Sequence, residues 1–330
     1  MIKAIYLKNG KGITETSIKK IPSIIKKKPE LIWLDITVEN NTLESDEITL
    51  LADIFKFHEL SIEDCLFPQY HPKVEEFATY VFTAVHGIRT KAKDLSDFEE
   101  SIYELDLFIG SGFVVTVHTG ELLIVDSLFE RAKLKPGVEL KSLENLLYNI
   151  LHKVVNGFEN AMEKLSDRLD EIEDQVLENP TNELMQEIFT MKKVLLNLRK
   201  VSEPQQNVYT YFTRGSSEFI SKKSKAYFRD IFFQFSRINQ SISSNNQMIS
   251  SLLEIYMSGV TLKLNEVIKF LTVIATILLP ALLIASYYGM NVQFPEHAFF
   301  GNDKVWYFII GLIVAATLTV FIYIKKKKWF

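Results

Sequence analysis

The residues best placed to do chemistry are Gly289, Met290 and Asn291, which stand where a long uncharged run of the chain ends. That run extends from Phe270 to Met290, and a second uncharged run extends from Val305 to Ile324. Each has about the 20 apolar residues that a helix needs to cross a bilayer core. The linker between them is too short for a domain, so we expect a transmembrane hairpin. Taken alone, Gly-Met-Asn is typical of a helix end with a turn, but its position at the outer mouth of the first span makes it a candidate site.

Charges beside the two spans predict their orientation. The second span is followed by four lysines, Lys325, Lys326, Lys327 and Lys328. The linker carries two acids, Glu296 and Asp303. Because positive residues accumulate on the cytoplasmic side, we expect a multi-pass protein with both termini in the cytoplasm and the linker outside. A stop-transfer anchor in contact with lipid headgroups would by itself explain the lysines.

Composition and motifs exclude several classes of protein. The net charge of −4 argues against a nucleic-acid binder, because it leaves no basic excess to neutralise phosphates. The single Cys65 excludes a disulfide framework. Neither a glycine-rich phosphate loop nor a hydrolase motif occurs, and the six histidines are scattered. We therefore expect neither an enzyme nor an organic cofactor.

The soluble part divides into an α+β domain and a helical region. Residues 1–130 contain short β-type runs, which are Ala4–Leu7, Leu31–Ile36, Tyr80–Val85, Ile102–Ile109 and Phe113–Val117. Between them lie helical patterns, Leu43–Phe57 and Ser61–Phe67, so we expect an α/β sandwich with helices. Residues 131–266 contain an acidic helix from Ser142, broken at Asn179-Pro180, then a returning helix and a long stalk helix. The remaining predicted segments are the first span (267–290), the outer loop (291–304), the second span (305–324) and a basic tail (325–330).

The stalk helix carries a heptad stripe. Its members are Ile231, Phe235, Ile238, Ile242, Ile249, Leu252 and Tyr256, with Asn245 at the one missing position. No proline occurs between Ser224 and Pro280, so we expect the helix to continue into the first span. A heptad stripe requires partner helices, so we expect an oligomer whose stalks pack together, and two spans cannot enclose a pore. Both observations predict several copies of the chain around one axis.

Several stretches of the sequence resemble the CorA family of divalent-cation channels, in the Gly-Met-Asn superfamily. They are Asn265–Thr272, Leu279-Pro280, Tyr288–Asn291, Pro295-Glu296, His58–Asp64, Pro72–Glu75 and Tyr227–Asp230, and the similarity runs from Leu31 to the C-terminus. The resemblance implies a funnel-shaped homopentamer in the bilayer, with the α/β domains at its wide cytoplasmic end. It implies a selectivity filter at Gly289, Met290 and Asn291. It also implies a pore lined by Asn265, Ile268, Leu271, Ala275, Leu279 and Leu282.

The implied function is influx of Mg²⁺, with Co²⁺ or Ni²⁺ as further ions. A ring of Asn291 amides can hydrogen-bond the water shell of Mg²⁺, which loses its water reluctantly. The membrane potential favours the inward movement of a divalent ion by about 4.6 kcal/mol per 100 mV. The chain departs from the family at Leu282, where a threonine often lines the pore, and at Gln293, where an acid is frequent. Glu296 and Asp303 then remain to attract cations.

Regulation by cytosolic Mg²⁺ is also implied. The residues that match the family's cytoplasmic metal site are Asp64 and Asp230, with Glu63 beside them. A cation between two subunits would hold the closed state, and its loss would loosen them. Phe233 and Gln234 replace polar ligands, so a second cytoplasmic site is in doubt. We further hypothesise that Lys325–Lys328 form a basic collar facing the acids near Asp167–Asp174.

Two alternatives remain open. One is a zinc transporter on the same scaffold, and the other is a membrane-anchored sensor. A bacterial or archaeal cell (inner) membrane is the expected location, because no transit peptide is present.

Overall fold

The computed structural model describes residues 2–8, 11–15, 18–27, 29–39, 42–43, 45–67, 71–89, 101–214, 219–290 and 302–327. The chain divides into two units. The first contains residues 1–175 and 181–253, and the second contains residues 176–180 and 254–330.

A mixed sheet is the centre of the first unit. Its strands in the described residues are β1 (Ile2–Lys8), β2 (Lys11–Glu15), β3 (Leu31–Val38), β4 (Lys73–Glu76), β5 (Tyr80–Ile88), β6 (Ile102–Gly110) and β7 (Phe113–Thr119), in the order β2-β1-β3-β7-β6-β5-β4. Only β3 and β7 pair in parallel; the other neighbouring strands are antiparallel. The predicted strands are all present. The two edge strands, β2 and β4, were missed because short polar edge strands lack clear hydrophobic alternation.

Short helices and turns accompany the sheet, and long helices follow it. They are a 3₁₀ turn (Ile18–Lys20), α1 (Ile21–Lys26), α2 (Ser45–Thr49) with a π-helical turn (Leu50–Ile54), α3 (Glu59–Asp64), α4 (Leu123–Leu134), α5 (Pro136–Glu139), α6 (Leu143–Glu178), α7 (Asn182–Arg214), a 3₁₀ turn (Lys222–Ser224), α8 (Lys225–Tyr288) and α9 (Asn302–Lys326). The break at Asn179-Pro180 and the unbroken helix into the first span are both as predicted.

Each face of the sheet is covered by helices. On one face, Phe82 and Phe108 pack beneath the segment of α1 to α3, and Phe57 stacks on Phe108 with ring centres 4.1 Å apart. On the other face, Trp33 packs against Phe129 of α4 at 5.2 Å, and its indole N–H donates to the hydroxyl of Thr116. Neighbouring residues of one strand thus face opposite sides of the sheet, because Leu34 of β3 belongs to the cluster of Phe82 and Phe108 while Trp33 packs against α4.

A glutamine joins α7 to the sheet. Strand β4 ends its pairing with β5 at Ala84, which leaves the edge of β5 open at His86. The His86 N–H donates to Oε1 of Gln205 at 2.7 Å, and Nε2 of Gln205 donates to the His86 carbonyl at 3.0 Å. One side chain thus bonds both the N–H and the carbonyl of His86, beyond the end of β4.

The heptad stripe of α8 is buried within the single chain. All of its members from Ile231 to Tyr256 are at most 7% exposed, Asn245 included. Phe235 lies edge-on to Phe158 of α6 and Tyr209 of α7, and Asn245 donates to Ser166 of α6. The prediction that this stripe packs against stalks of other copies was wrong, because α6 and α7 are its partners.

The second unit contains the two apolar helices and the α6–α7 turn. Pro180 of the turn packs so closely on Gly259 that an added Cβ would lie 3.0 Å from the proline ring. Lys263 donates from Nζ to the side-chain oxygen of Asn179. Among the described residues, α8 and α9 are the helices long and apolar enough to cross a membrane.

Candidate functional site

One face of the first span is uncovered in the single chain. The predicted pore positions all lie on it and are exposed, namely Asn265, Ile268, Leu271, Ala275, Leu279 and Leu282. The four larger apolar side chains among them are 54–66% exposed. Their spacing of three and four residues places them along one side of α8. Among these six positions, the polar one is Asn265, at the end nearer the stalk.

The opposite face of the span is covered. Val273 is only 1% exposed, and the half-buried positions Ile277, Pro280, Ala281 and Ile284 continue the same stripe. The neighbouring helix is α9, since Thr272 and Thr276 of α8 line one cavity together with Thr319, Val320, Tyr323, Ile324 and Lys327. We infer that α9 covers this stripe, because its Ile324 is buried as well.

This covering distinguishes two faces that the sequence alone makes equally apolar. On a helix of 3.6 residues per turn, the covered stripe and the predicted pore stripe lie on opposite sides. The pore assignment stays a prediction, but it falls on the face that α9 leaves open.

The C-terminal end of α8 closes with ordinary helix-terminal hydrogen bonds. The Gly289 N–H donates to the Ala285 carbonyl at 2.9 Å, and the Met290 N–H donates to Tyr287 at 3.3 Å. An added Cβ on Gly289 would lie 3.1 Å from the Ala285 oxygen, so a larger residue would crowd this turn. Met290 is 55% exposed.

The rest of the predicted filter and outer loop lies mostly outside the described residues. Asn291, Gln293 and Glu296 fall in the range 291–301, which the structure does not describe. Asp303 lies in the first turn of α9. The predictions for the filter and for cation attraction therefore remain predictions.

Asp64, a predicted regulatory ligand, stands at the end of α3 and already has a cationic partner. Nζ of Lys73, on β4, donates to its Oδ2, while the side chains are 28% and 16% exposed respectively. Burial opposes the charge of Lys73, but hydrogen bonding to Asp64 and its negative charge raise the lysine pKa above its ordinary value. Glu63, the preceding residue, is exposed.

Asp230, the other predicted ligand, is exposed on α8. The hydroxyl of Tyr148 on α6 is 3.5 Å from its Oδ2. Partial burial, and then the charge of Asp230, raise the pKa of Tyr148 above its ordinary value. One turn along α8, Gln234 donates to Glu159 at 2.7 Å, so its amide joins α8 to α6.

The predicted regulatory acids do not form a metal site within one chain. In the described part of the molecule, no three histidine, cysteine, aspartate or glutamate side chains are grouped so that they could hold a metal ion. Carboxylate oxygens are nevertheless the donors that Mg²⁺ prefers. The donor chemistry of Asp64 and Asp230 therefore fits Mg²⁺, and a second copy of the chain would have to complete the site.

Sequence reasoning did not identify the side chains that surround Asp64. Besides Lys73, these include the fully buried Asp106 on β6, whose pKa is raised well above its ordinary value by burial and then by the charge of Glu104. Burial and then the charge of Asp106 also raise the pKa of the Cys65 thiol. The sequence contains no signal for this cluster, because its members come from α3, the residue after it and two different strands.

The basic tail and the acidic helix belong to different units. Lys325 and Lys326 end α9 and Lys327 follows, all three exposed, while Lys328 lies outside the described residues. On α6, Arg168 pairs with Glu187 through both of its oxygens, at 2.6 and 2.8 Å, and also with Glu171. Part of the acidic surface is thus neutralised locally. The collar hypothesis stays a prediction.

Comparisons of the chain with a family model, with related sequences and with solved structures all find the same kind of protein. Residues 29–326 match the family model described as CorA-like Mg²⁺ transporter protein. The cobalt/magnesium transport protein CorA of Thermotoga maritima is 32% identical over 299 residues, which cover 90% of this chain and 83% of that protein. The putative metal ion transporter YfjQ of Bacillus subtilis is 30% identical over 314 residues, 95% of each chain. The complete structure of the CorA magnesium transporter from Methanocaldococcus jannaschii matches with a TM-score of 0.83 at 20% identity, covering 100% of this chain and 99% of that one.

Proposed function

The chain belongs to the family of CorA-like Mg²⁺ transporter proteins and is a membrane protein that transports divalent cations, and from this premise we propose that it is an Mg²⁺ influx channel. Co²⁺ is the second proposed ion, because related proteins carry cobalt in their names. Ni²⁺ is a third, from the resemblance alone. The proposed location is the cell inner membrane, with both termini cytoplasmic, which the lysines after α9 support.

The uncovered stripe of α8 is the observation that carries the proposal. One chain has two spans, so a pore requires several copies, and the resemblance in sequence implies five. In such a ring, the open face from Asn265 to Leu282 would line the pore, while α9 would lie on the lipid side. Apolar rings of this kind gate by dewetting when they are narrow.

Selection of the ion is assigned to the outer end, at Gly289, Met290 and Asn291. A ring of neutral amides can hold a hydrated Mg²⁺ by its water without removing that water. A ring of carboxylates would bind the ion more tightly and slow its release. The membrane potential supplies the driving force, so no chemical fuel is required.

Gating is assigned to Asp64 and Asp230, with Glu63 as a further ligand. Asp64 belongs to the α/β part of the first unit and Asp230 to α8, and in neighbouring copies the two could hold one Mg²⁺ between them. Bound Mg²⁺ would favour the closed arrangement, and falling cytosolic Mg²⁺ would shift the population toward the open one.

Ion uptake into proteoliposomes tests the proposal. Vesicles with an inside-negative potential and an internal Mg²⁺-sensitive dye should fill with Mg²⁺ in a voltage-dependent manner. Asn291→Ala should abolish the uptake, whereas Asn302→Ala, the same substitution outside the predicted filter, should leave it within about twofold.

Three results would contradict the proposal. Zinc influx that follows a proton gradient, without Mg²⁺ uptake, would indicate a zinc transporter. Absence of transport for every cation would favour a membrane-anchored sensor. Equal uptake by both asparagine variants would show that Asn291 is not part of the selectivity filter.

A further inference from the structure

The ammonium group of Lys73 is hydrogen-bonded to one oxygen of Asp64, the carboxylate proposed to bind a regulatory cation. Its Nζ lies within hydrogen-bonding distance of Asp64 Oδ2 and is 3.4 Å from Oε1 of Glu75. The same Nζ stands 5.5 Å from the centre of the Phe82 ring. Lys73 is therefore held among two carboxylates and one aromatic face.

Both partners of the ion pair are anchored by their backbones. Lys73 is paired with Ala84 in the sheet, and its carbonyl accepts from the Thr83 hydroxyl at 2.9 Å. Asp64 ends α3, whose first turn is held by a hydrogen bond of 2.9 Å from the His58 N–H to the Tyr80 hydroxyl. The pair thus joins two ordered elements.

A divalent cation at Asp64 would meet this ammonium group directly. Mg²⁺ binds carboxylate oxygens at about 2.0–2.1 Å, so a bound ion would bring two positive charges close to a third. Like charges at such separations repel each other strongly where water is partly excluded. We propose that Lys73 is a built-in competitor for the regulatory cation at Asp64, and that it moves toward Glu75 when the cation binds.

This inference rests on the proposed regulatory role of Asp64. Its consequence is that an empty regulatory site does not leave a bare carboxylate, because Lys73 neutralises it. The cation must displace an internal charge, so the Mg²⁺ concentration needed for closure is higher than the acids alone would set.

The competition predicts opposite effects for two substitutions. Lys73→Met removes the competitor, and the Mg²⁺ concentration for half-maximal binding should fall about three- to fivefold, the upper range for a partly exposed ion pair. Glu75→Gln removes the alternative partner of Lys73, so the half-maximal concentration should rise. If Lys73 only positioned Asp64, its removal would raise the concentration instead.

Protection of the purified full-length chain from chymotrypsin, which does not cleave after lysine, is measured against Mg²⁺ concentration and is a readout that is independent of transport. Lys73→Arg keeps the charge and should retain the wild-type midpoint. Glu76→Gln is the matched control for Glu75→Gln, because Glu76 is the exposed next residue of β4. Circular dichroism and size-exclusion chromatography establish that each variant folds.

The outcomes separate this inference from the proposed function. If Mg²⁺ protects the wild type but not Asp64→Asn, the regulatory role holds. In that case, if the Mg²⁺ concentration for half-maximal protection is unchanged or raised in Lys73→Met, Lys73 does not compete with the cation. If Mg²⁺ does not protect the wild type, both the regulatory role and the competition are wrong.

Discussion

Helix α8 contains two apolar stripes with the same spacing, of which one is buried in the single chain and the other is exposed. The stripe from Ile231 to Tyr256 is at most 7% exposed in the single chain, whereas Ile268, Leu271, Leu279 and Leu282 are 54–66% exposed. Both stripes repeat every three or four residues along one continuous helix. Spacing therefore shows that a face of a helix is apolar, but it does not show what covers that face.

The number of neighbouring helices explains the difference. Helices α6 and α7 both contact the first stripe, through Phe158 and Tyr209, so that part of α8 is complete within one chain. In the second unit, the described neighbour of the span is α9, which lines one cavity together with it, and we infer that α9 covers the opposite side. The exposed stripe is consequently the part of α8 that needs other copies or lipid.

Exposure in the second unit does not by itself prove association between copies. In a bilayer, apolar side chains lose little by facing lipid, because the lipid tails are as apolar as leucine. The comparison therefore predicts different consequences for substitutions in the two stripes, loss of stability in the first and altered conduction in the second.

The largest expected effect is loss of stability at Phe235, in the buried stripe. Phe235→Ala should destabilise the protein by about 3–5 kcal/mol, because it leaves a cavity among Phe158 and Tyr209. Thermal or denaturant unfolding in detergent measures this. The matched control is Phe233→Ala on the same helix, where the ring is 56% exposed and the cost should stay below about 1 kcal/mol. Equal losses in the two variants would contradict the view that the first stripe is closed within the chain.

A smaller effect is expected at Leu282, in the exposed stripe. Leu282→Thr places a polar ring in the proposed pore and should raise Mg²⁺ uptake by about tenfold, equal to about 1.4 kcal/mol on the barrier. Unfolding should be nearly unchanged, since the side chain is 66% exposed.

Its neighbour Leu283 is the matched control for conduction. It is 62% exposed, almost the same as Leu282, but lies about 100° away around the helix. Leu283→Thr should leave uptake near the wild-type rate. Faster uptake in the Leu283 variant alone would place the pore on a different face of α8.

The smallest effect is expected at Asn245, the one polar position of the buried stripe. Its amide donates to Ser166 at 2.9 Å, so Asn245→Ala should cost about 1 kcal/mol through loss of this hydrogen bond. Asn246→Ala is the control, because the Asn246 amide bonds only a carbonyl of its own helix among the contacts described. Its unfolding free energy should change by less than about 0.5 kcal/mol. A larger loss for Asn246 than for Asn245 would mean that the α6 contact is not stabilising.

Much of the fold could be predicted from local pattern. The predicted strands, the break at Pro180 and the unbroken helix from the stalk into the first span all depend on residues near in sequence, and the structure contains each of them. The polar edge strands β2 and β4 were missed because few of their side chains are buried on either face. The hydrogen bonds between Gln205 and the backbone of His86 were also missed, because no sequence pattern around either residue indicates that the two are in contact.

For the candidate site, the sequence predicted which residues take part, but it did not predict which side chains and helices surround them. The resemblance directed attention to Asp64 through its neighbours in sequence, while its ion pair with Lys73 joins the end of α3 to the start of β4. The same holds for the first span, where composition leaves every face apolar and only packing against α9 separates them.

The chain's own residues thus determined which segments are helices, strands and membrane spans, because hydrophobic periodicity, proline and charge act over a few residues. Tertiary structure decided which apolar stripe is satisfied inside the chain and which remains open. It also decided which charge stands beside Asp64, the carboxylate for which we propose a regulatory role. Those outcomes depend on contacts between residues far apart in sequence, such as Phe158 with Phe235, and no local pattern specifies them.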